Sequence, residues 1–159
     1  MTLSININLK SEKDTLKFGS NLAKIAKCGD IFALSGDLGT GKTVVARGFI
    51  KQVIGNDTNV ASPTFNLVNT YESNKGTIWH FDLYRLKNSR EIEELGLDEA
   101  ISEGICIIEW PEKATNEIPK NRLCIFLKES EQTGVRSVQI TSHGSWKDRI
   151  VKFNKKYGA

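Results

Sequence analysis

One short segment restricts the possible folds of this chain more than any other. Residues 36–43 read GDLGTGKT and match the pattern GxxxxGK[ST]. An apolar run at residues 31–34 precedes them and a helical pattern over Lys42–Ile54 follows, which predicts a strand, a loop and a helix in direct succession. The glycines allow the backbone N–H groups to point inward, and the helix directs the positive end of its dipole at the same point. The segment therefore predicts a phosphate-binding loop, with Lys42 near the β- and γ-phosphates of a nucleotide and the Thr43 hydroxyl on Mg²⁺.

The rest of the chain alternates strand and helix patterns. Leu3, Ile5, Ile7 and Leu9 alternate with polar residues and predict a first strand, and Ser11 begins a first helix that should end near Gly29. Further strands are predicted at residues 65–71, 77–82, 105–109, 122–127 and 135–141, with helical turns between 90 and 103. Residues 145–159 match no motif that would give them a role, and no element is predicted there. We expect a single α/β domain over residues 1–159, a P-loop NTPase-like three-layer sandwich whose sheet is mixed but mostly parallel, with antiparallel pairs late in the chain.

Composition excludes several classes of protein. The 22 basic and 19 acidic residues give a net charge of only +3, which is too small and too mixed for direct nucleic-acid binding to be the main function. No run of about 18 apolar residues occurs, so no membrane span is expected. Cys28, Cys106 and Cys124 form no CxxC pair, which favours a reduced, cytoplasmic setting.

Two predicted strands end in a carboxylate. Asp82 ends the strand IWHFD and Glu109 ends the strand ICIIE. Ligands of open α/β sheets bind at the carboxyl ends of the strands, where both side chains should emerge. One acid would hold Mg²⁺ and the other would orient an attacking water, but spacing does not decide which does which, and each alone could be an ordinary solvated strand end or helix cap.

Four motifs together resemble the TsaE family, the bacterial ATPases of tRNA threonylcarbamoyladenosine biosynthesis. They are GDLGTGKT, then SPTF at 62–65, HFDLYR at 80–85 and IEWPE at 108–112, and the resemblance covers residues 10 to 140. It implies an ATPase that uses ATP and Mg²⁺ and hydrolyses weakly without its partners, TsaB and TsaD. It also implies a role in forming the threonylcarbamoyl modification on adenosine 37 of tRNAs that read ANN codons, with tRNA contacted indirectly through the complex.

The resemblance also assigns roles to individual residues. The ATP-binding positions are Thr15 near the base, Gly39, Thr40, Gly41, Lys42, Thr43 and Val44 on the phosphates, Asp82 near the γ-phosphate, and Arg136 as an adenine-side or phosphate contact. Thr43 and Glu109 would hold Mg²⁺, the latter through water, and Asp82 and Lys42 would be catalytic.

Other positions carry two interpretations. Thr64 would sense the γ-phosphate from a switch loop, and Arg85 and Trp110 are candidate partner contacts. A tryptophan after a buried strand is more often packed, however, and the alternating position of His80 favours a core histidine with a satisfied ring over a catalytic base.

Two other functions compete with this interpretation. A small-molecule P-loop kinase would need a lid rich in arginine, and the six arginines of this chain form no cluster. A nucleotide-dependent interaction module that does not hydrolyse ATP is the second alternative, and it is favoured if neither Asp82 nor Glu109 matters to turnover.

Overall fold

The computed structural model describes residues 2–158, which form a seven-stranded sheet with helices on both faces. The strands are β1 (Leu3–Leu9), β2 (Ile31–Ser35), β3 (Val68–Tyr71), β4 (Thr77–Asp82), β5 (Gly104–Glu109), β6 (Leu123–Glu129) and β7 (Arg136–Ser142). The helices are α1 (Glu12–Ile25), α2 (Lys42–Ile54), α3 (Glu91–Glu94), α4 (Leu97–Glu103) and α5 (Trp146–Tyr157), and a 3₁₀ turn covers Pro111–Ala114.

The sheet has a parallel centre and antiparallel margins. Its strand order is β1-β7-β6-β2-β5-β4-β3, in which β6, β2, β5 and β4 are parallel neighbours. Antiparallel pairing joins β3 to β4, β7 to β6 and β1 to β7. Every residue of β5 and four of the five in β2 are buried, as expected for strands covered by helices on both sides. The predicted mixed, mostly parallel sheet, with an antiparallel pair late in the chain, is confirmed.

Alternate residues of the strands face two separate apolar layers. Ile105 and Ile107 of β5 pack with Phe32, Phe49 and Trp146 beneath α1, α2 and α5. The side chains of Cys106 and Ile108 point the other way, into a layer with Phe81, Ile92 and Leu97 beneath α3 and α4. This arrangement is the expected three-layer sandwich, although the one-domain boundary at 1–159 stays a prediction because residues 1 and 159 lie outside the described part of the chain.

Close packing of α1 against α2 fixes the helix that follows the phosphate loop. A Cβ atom on Gly19 would collide with the carbonyl of Val45, and one on Gly48 would collide with the carbonyl of Leu16. The two glycines therefore let the helix backbones approach directly. The position of α2, and with it the start of the loop, depends on this contact.

The structure differs from the sequence prediction in three elements. Helix α1 ends at Ile25 instead of near Gly29, because the backbone turns extended at Ala26 and the Lys75 ammonium binds the carbonyls of Ala23 and Ala26 at 2.8 and 3.2 Å. Strand β3 begins at Val68 instead of 65, after a turn in which Phe65 is 82% exposed.

The third difference is helix α5, which the prediction missed. It buries Trp146, Ile150 and Phe153, spaced four and three residues apart. Arg149 anchors the helix by donating hydrogen bonds of 2.8 and 2.6 Å to the two carboxylate oxygens of Asp30. Among the described residues, no helix is long and apolar enough to cross a membrane.

Two of the three cysteines, Cys28 and Cys106, should differ in reactivity towards thiol reagents. Burial raises the pKa of the Cys106 thiol to about 12, whereas Cys28 is exposed. Because the thiolate is the reactive form, we expect a maleimide to label Cys28 in the native protein and to label Cys106 only after unfolding. Mass spectrometry of the labelled peptides measures this, with a Cys28→Ser variant as the control. Rapid labelling of native Cys106 would contradict the packing described here.

Candidate functional site

A cleft of about 450 Å³ opens at the edge of the sheet where β2, β4 and β5 end. In the strand register, Leu34 of β2 and Asp82 of β4 both lie opposite Glu109 of β5. The side chains of Asp82 and Glu109 therefore reach the same cleft. The residues that line it are Glu12, Thr15, Leu38, Gly39, Gly41, Lys42, Thr43, Val44, Ser62, Thr64, Asp82, Glu109, Trp110, Gly134 and Arg136.

The loop between β2 and α2 has the backbone of a phosphate cradle. Gly36, Gly39 and Gly41 have φ values of 138°, 79° and 102°, a region that side-chain-bearing residues rarely adopt. Gly41 precedes α2, and no side chain of the described residues caps this helix end. Its first N–H groups therefore face the cleft, where an anion would satisfy them.

Five of the six predicted phosphate-loop positions line the cleft, and Thr40 is the exception. Its hydroxyl donates a 2.9 Å hydrogen bond to the carbonyl of Asp37, inside the loop. The Thr40 side chain thus stabilises the loop from within. The phosphate contact that is predicted for Thr40 would come from its backbone N–H group.

Lys42 is buried within the loop that it would serve. Its ammonium donates hydrogen bonds of 2.6 and 2.8 Å to the carbonyls of Gly36 and Asp37 and lies 4.2 Å from the centre of the Trp110 ring. Burial lowers the pKa of this ammonium below its ordinary 10.5, while the carboxylates of Glu109, Glu112, Asp82 and Asp37 act in the opposite direction. Lys42 is therefore a cation with few water contacts beside an uncapped helix end, which favours a strong interaction with phosphate.

Glu109 is bound to the first turn of α2. The Thr43 hydroxyl donates to its two carboxylate oxygens at 2.9 and 3.2 Å. His80 Nε2 lies 2.6 Å from Oε2 of the same group. Glu109 is only 2% exposed. A hydroxyl and a carboxylate that meet below a phosphate cradle are hard oxygen ligands of the kind that Mg²⁺ prefers.

The chemistry of the oxygen donors fits a metal that arrives with its nucleotide. Among residues 2–158 no group of three or more His, Cys, Asp or Glu side chains could hold a metal ion alone. Mg²⁺ at nucleotide sites is bound by one or two protein oxygens together with phosphate oxygens and waters. Thr43 and Glu109 can supply that protein share.

Asp82 has different partners, on a different loop. Its Oδ2 accepts hydrogen bonds from the Ser62 and Thr64 hydroxyls at 3.3 and 3.4 Å, and its Oδ1 accepts one from the N–H of Tyr84 at 3.0 Å. The two hydroxyls are also within 2.7 Å of each other. Glu109 therefore contacts the first turn of α2 and Asp82 contacts the SPTF loop, while the assignment of Glu109 to the metal and Asp82 to the reacting end of the nucleotide stays a prediction. Sequence reasoning missed Ser62, although it stands in the SPTF motif that supplied Thr64.

Two aromatic contacts involve residues of the cleft wall or of the segments next to it. Trp110 is partly buried and packs at 4.9 Å against the ring of Tyr84 as well as over Lys42, so its packing interpretation fits the structure. Arg85 lies 4.5 Å from the centre of the Phe65 ring, on the outer side of the SPTF loop. Neither Arg85 nor Phe65 lines the cleft itself.

Arg136 and Thr15 support the loop from neighbouring elements. Arg136 donates hydrogen bonds of 3.0 and 3.1 Å from Nε and Nη2 to the carbonyls of Thr40 and Gly39. Its third nitrogen, Nη1, is 3.3 Å from a Glu129 oxygen. The guanidinium therefore braces the loop and also lines the cleft, and its contact with adenine or phosphate stays a prediction. Thr15 is buried at the cleft wall, with its hydroxyl on the carbonyl of Ser11 at 3.2 Å.

Comparison with known proteins agrees with the sequence motifs. Residues 9–138 match the family model described as "Threonylcarbamoyl adenosine biosynthesis protein TsaE". Three proteins named tRNA threonylcarbamoyladenosine biosynthesis protein TsaE are similar to this chain. The protein of Rickettsia felis is 49% identical over 65% of this chain and 61% of its own length, and that of Rickettsia bellii is 45% identical over 76% of this chain and 83% of its own length. The protein of Bacillus subtilis is 37% identical over 73% of this chain and 72% of its own length. The match thus spans about three fifths of the Rickettsia felis protein. The crystal structure of YdiB from Bacillus subtilis superposes with a TM-score of 0.83 at 26% identity, over 98% of this chain and 97% of YdiB.

Removal of the Arg136 brace should weaken nucleotide binding. We expect Arg136→Met to lower the affinity for ATP about tenfold, because two charge-assisted hydrogen bonds that hold the loop carbonyls are lost. Isothermal titration calorimetry measures the affinity. Arg122→Met is the matched control, since Arg122 donates comparable bonds of 3.0 and 3.3 Å to the carbonyls of Ile118 and Pro119, away from the loop. Equal affinities for the two variants would contradict the assignment.

Proposed function

Since the chain belongs to the TsaE family of threonylcarbamoyl adenosine biosynthesis proteins, we propose that it binds ATP with Mg²⁺ and hydrolyses it slowly to support threonylcarbamoylation of adenosine 37 in tRNA. One observation carries the proposal. The Thr43 hydroxyl and the Glu109 carboxylate meet at 2.9 Å at the head of α2, and Asp82 lies beside Glu109 at the same sheet edge. These are the parts that a phosphate-loop ATPase needs.

The loop and the start of α2 would hold the phosphates. The uncapped N–H groups of α2 and the Lys42 ammonium converge on one side of the cleft. The Lys42 ammonium donates to the carbonyls of Gly36 and Asp37. A phosphate oxygen is an anionic and therefore stronger acceptor, so it would replace these carbonyls as the hydrogen-bond partner of the ammonium.

Thr43 and Glu109 would hold Mg²⁺. When bound, the ion neutralises negative charge on the phosphate oxygens. The Thr43 hydroxyl directs its own proton at Glu109, which leaves an oxygen lone pair free for the metal. Glu109 accepts a hydrogen bond from this hydroxyl and would contact the metal through a water, the role that the family resemblance implies.

Asp82 would orient the attacking water. Its carboxylate accepts three hydrogen bonds, is 5% exposed and lines the cleft, so its oxygens are acceptors within reach of a water there. Two of these bonds come from Ser62 and Thr64 on the loop that precedes β3. Loss of the γ-phosphate would therefore change the hydrogen bonds of Asp82, and through them the conformation of this loop, as in switch loops.

TsaB and TsaD are the proposed partners, and the surface beside the cleft supports a protein contact there. Phe65 is 82% exposed, Leu38 67% and Tyr84 43%, which is unusual for side chains of this size. Leu38 is on the phosphate loop and Phe65 on the SPTF loop, so a partner that covers them would sense whether nucleotide is bound. The tRNA would be reached through the partners.

An Asp82→Asn variant separates an ATPase from a passive nucleotide-binding module. We expect ATP affinity within about threefold of the wild type but turnover lowered about 100-fold or more, because the amide is a poorer acceptor for the water proton. Phosphate release and calorimetry measure the two quantities, with Lys42→Ala as the variant that loses binding. Asp57→Asn, at an exposed loop acid, is the matched control. Unchanged turnover in Asp82→Asn would contradict the catalytic role of Asp82, and unchanged turnover in Glu109→Gln as well would favour the interaction module.

A Phe65→Ser variant tests the partner surface. We expect basal hydrolysis to be unchanged and its stimulation by TsaB and TsaD to fall about tenfold or more, since a large exposed aromatic group at an interface commonly contributes over 1 kcal/mol. Val151→Ser on α5 removes another exposed apolar side chain, 38% exposed, as the control. Full stimulation of Phe65→Ser would place the partner elsewhere.

A further inference from the structure

His80 is the one histidine next to the cleft carboxylates, and only one of its ring nitrogens is used. The residue is on β4, is 0% exposed, and has Nε2 at 2.6 Å from Glu109 Oε2. The other nitrogen, Nδ1, is buried and has no hydrogen-bond partner among residues 2–158. The sequence predicts a core histidine with both ring nitrogens hydrogen-bonded. The structure gives a partner only to Nε2, so the contact of Nε2 with Glu109 needs an explanation of its own.

These contacts define where the proton lies. An ionised carboxylate only accepts hydrogen bonds, so Nε2 must carry the proton that is donated to Glu109. A second proton on Nδ1 would leave a buried N–H without an acceptor, which is costly. Nε2 is therefore the donor to Glu109, and Nδ1 has no acceptor among the described residues to which it could donate.

The donated proton restricts the orientation of Glu109. Oε2 is shared by His80 at 2.6 Å and Thr43 at 3.2 Å, while Oε1 has only Thr43 at 2.9 Å. Without His80, one edge of a buried carboxylate would have only the longer, weaker bond, and the group could rotate about its last torsion. With His80 in place, Oε1 stays directed at the first turn of α2.

We infer that His80 is a positioning residue that holds Glu109 in the orientation required for Mg²⁺ at the nucleotide site. The inference rests on the proposed function and deepens it, because His80 would be the residue that hydrogen-bonds and orients Glu109, the carboxylate proposed to hold Mg²⁺. Outer partners of this kind commonly change metal affinity by about 10- to 100-fold. Residues 80 and 82 also project from the same face of β4, so one rigid strand sets both the support of Glu109 and the position of Asp82.

The first test needs neither metal nor nucleotide. The chain has only two histidines, His80 and His143, so the ring nitrogens of ¹⁵N-histidine-labelled protein can be assigned with a His143→Gln variant. We expect His80 to show a protonated Nε2 and a bare Nδ1. A proton on Nδ1 would overturn the inference, and this readout is valid even where a His80 variant fails to fold.

The second test uses substitutions that imitate one nitrogen each. The amide of His80→Gln reaches the position of Nε2, that of His80→Asn reaches the position of Nδ1, and His80→Leu offers no donor. Mg²⁺ should increase the affinity for ATP, and the Mg²⁺ concentration that gives half of this increase is the quantity compared. We expect it to rise about 10- to 100-fold in His80→Leu and His80→Asn. ATP binding in EDTA should be unchanged, and Gln should stay within about threefold of the wild type.

The outcomes separate this inference from the proposed function. Equal Mg²⁺ requirements in wild type and His80→Leu would overturn the role of His80 alone. Equal deficits in Gln and Asn would also overturn it, since they would show a packing effect without a specific donor. A wild-type chain that binds ATP with no response to Mg²⁺ would overturn the metal site itself, and would be recognised before any variant is compared.

Discussion

The hydrogen bond from Thr43 to Glu109 joins the two halves of the site. Thr43 belongs to the first turn of α2, and Glu109 ends β5, 66 residues later in the chain. The bond is possible because β5 pairs directly with β2, the strand that leads into the phosphate loop. Helix α2 is in turn fixed by its glycine contacts with α1. The local loop motif thus becomes a possible metal site only through the order of strands in the sheet.

Buried charge is the main electrostatic feature of the site. Lys42, Asp82 and Glu109 are each at most 5% exposed, and each is held by hydrogen bonds to neutral groups in place of a direct ion pair with one another. Isolated charges cost free energy to bury. Burial accordingly lowers the pKa of Lys42. A bound nucleotide phosphate would compensate that cost, so the arrangement favours ligand binding over the stability of the free protein.

The sequence was informative where structure is set locally and less so where it depends on distant contacts. The phosphate loop, the strands that end at Asp82 and Glu109, and the three-layer arrangement all follow from local patterns and short-range chemistry. Helix α5 was missed although Trp146, Ile150 and Phe153 have helical spacing, because its polar face carries many lysines and its anchor is Asp30, 119 residues away. The brace formed by Arg136 could not be predicted either, since β7 meets the loop only through the tertiary fold. The half-used ring of His80 likewise depends on the register between β4 and β5.

The proposed function requires that nucleotide bound at this site allows the chain to support tRNA modification. The most direct measurement is threonylcarbamoylation of tRNA in a reconstituted system with TsaB and TsaD, in which the wild-type chain is compared with Lys42→Ala. We expect repeated modification with the wild-type chain. With Lys42→Ala we expect no more modification than in a reaction that lacks the chain. Equal modification with both proteins would contradict the proposed function.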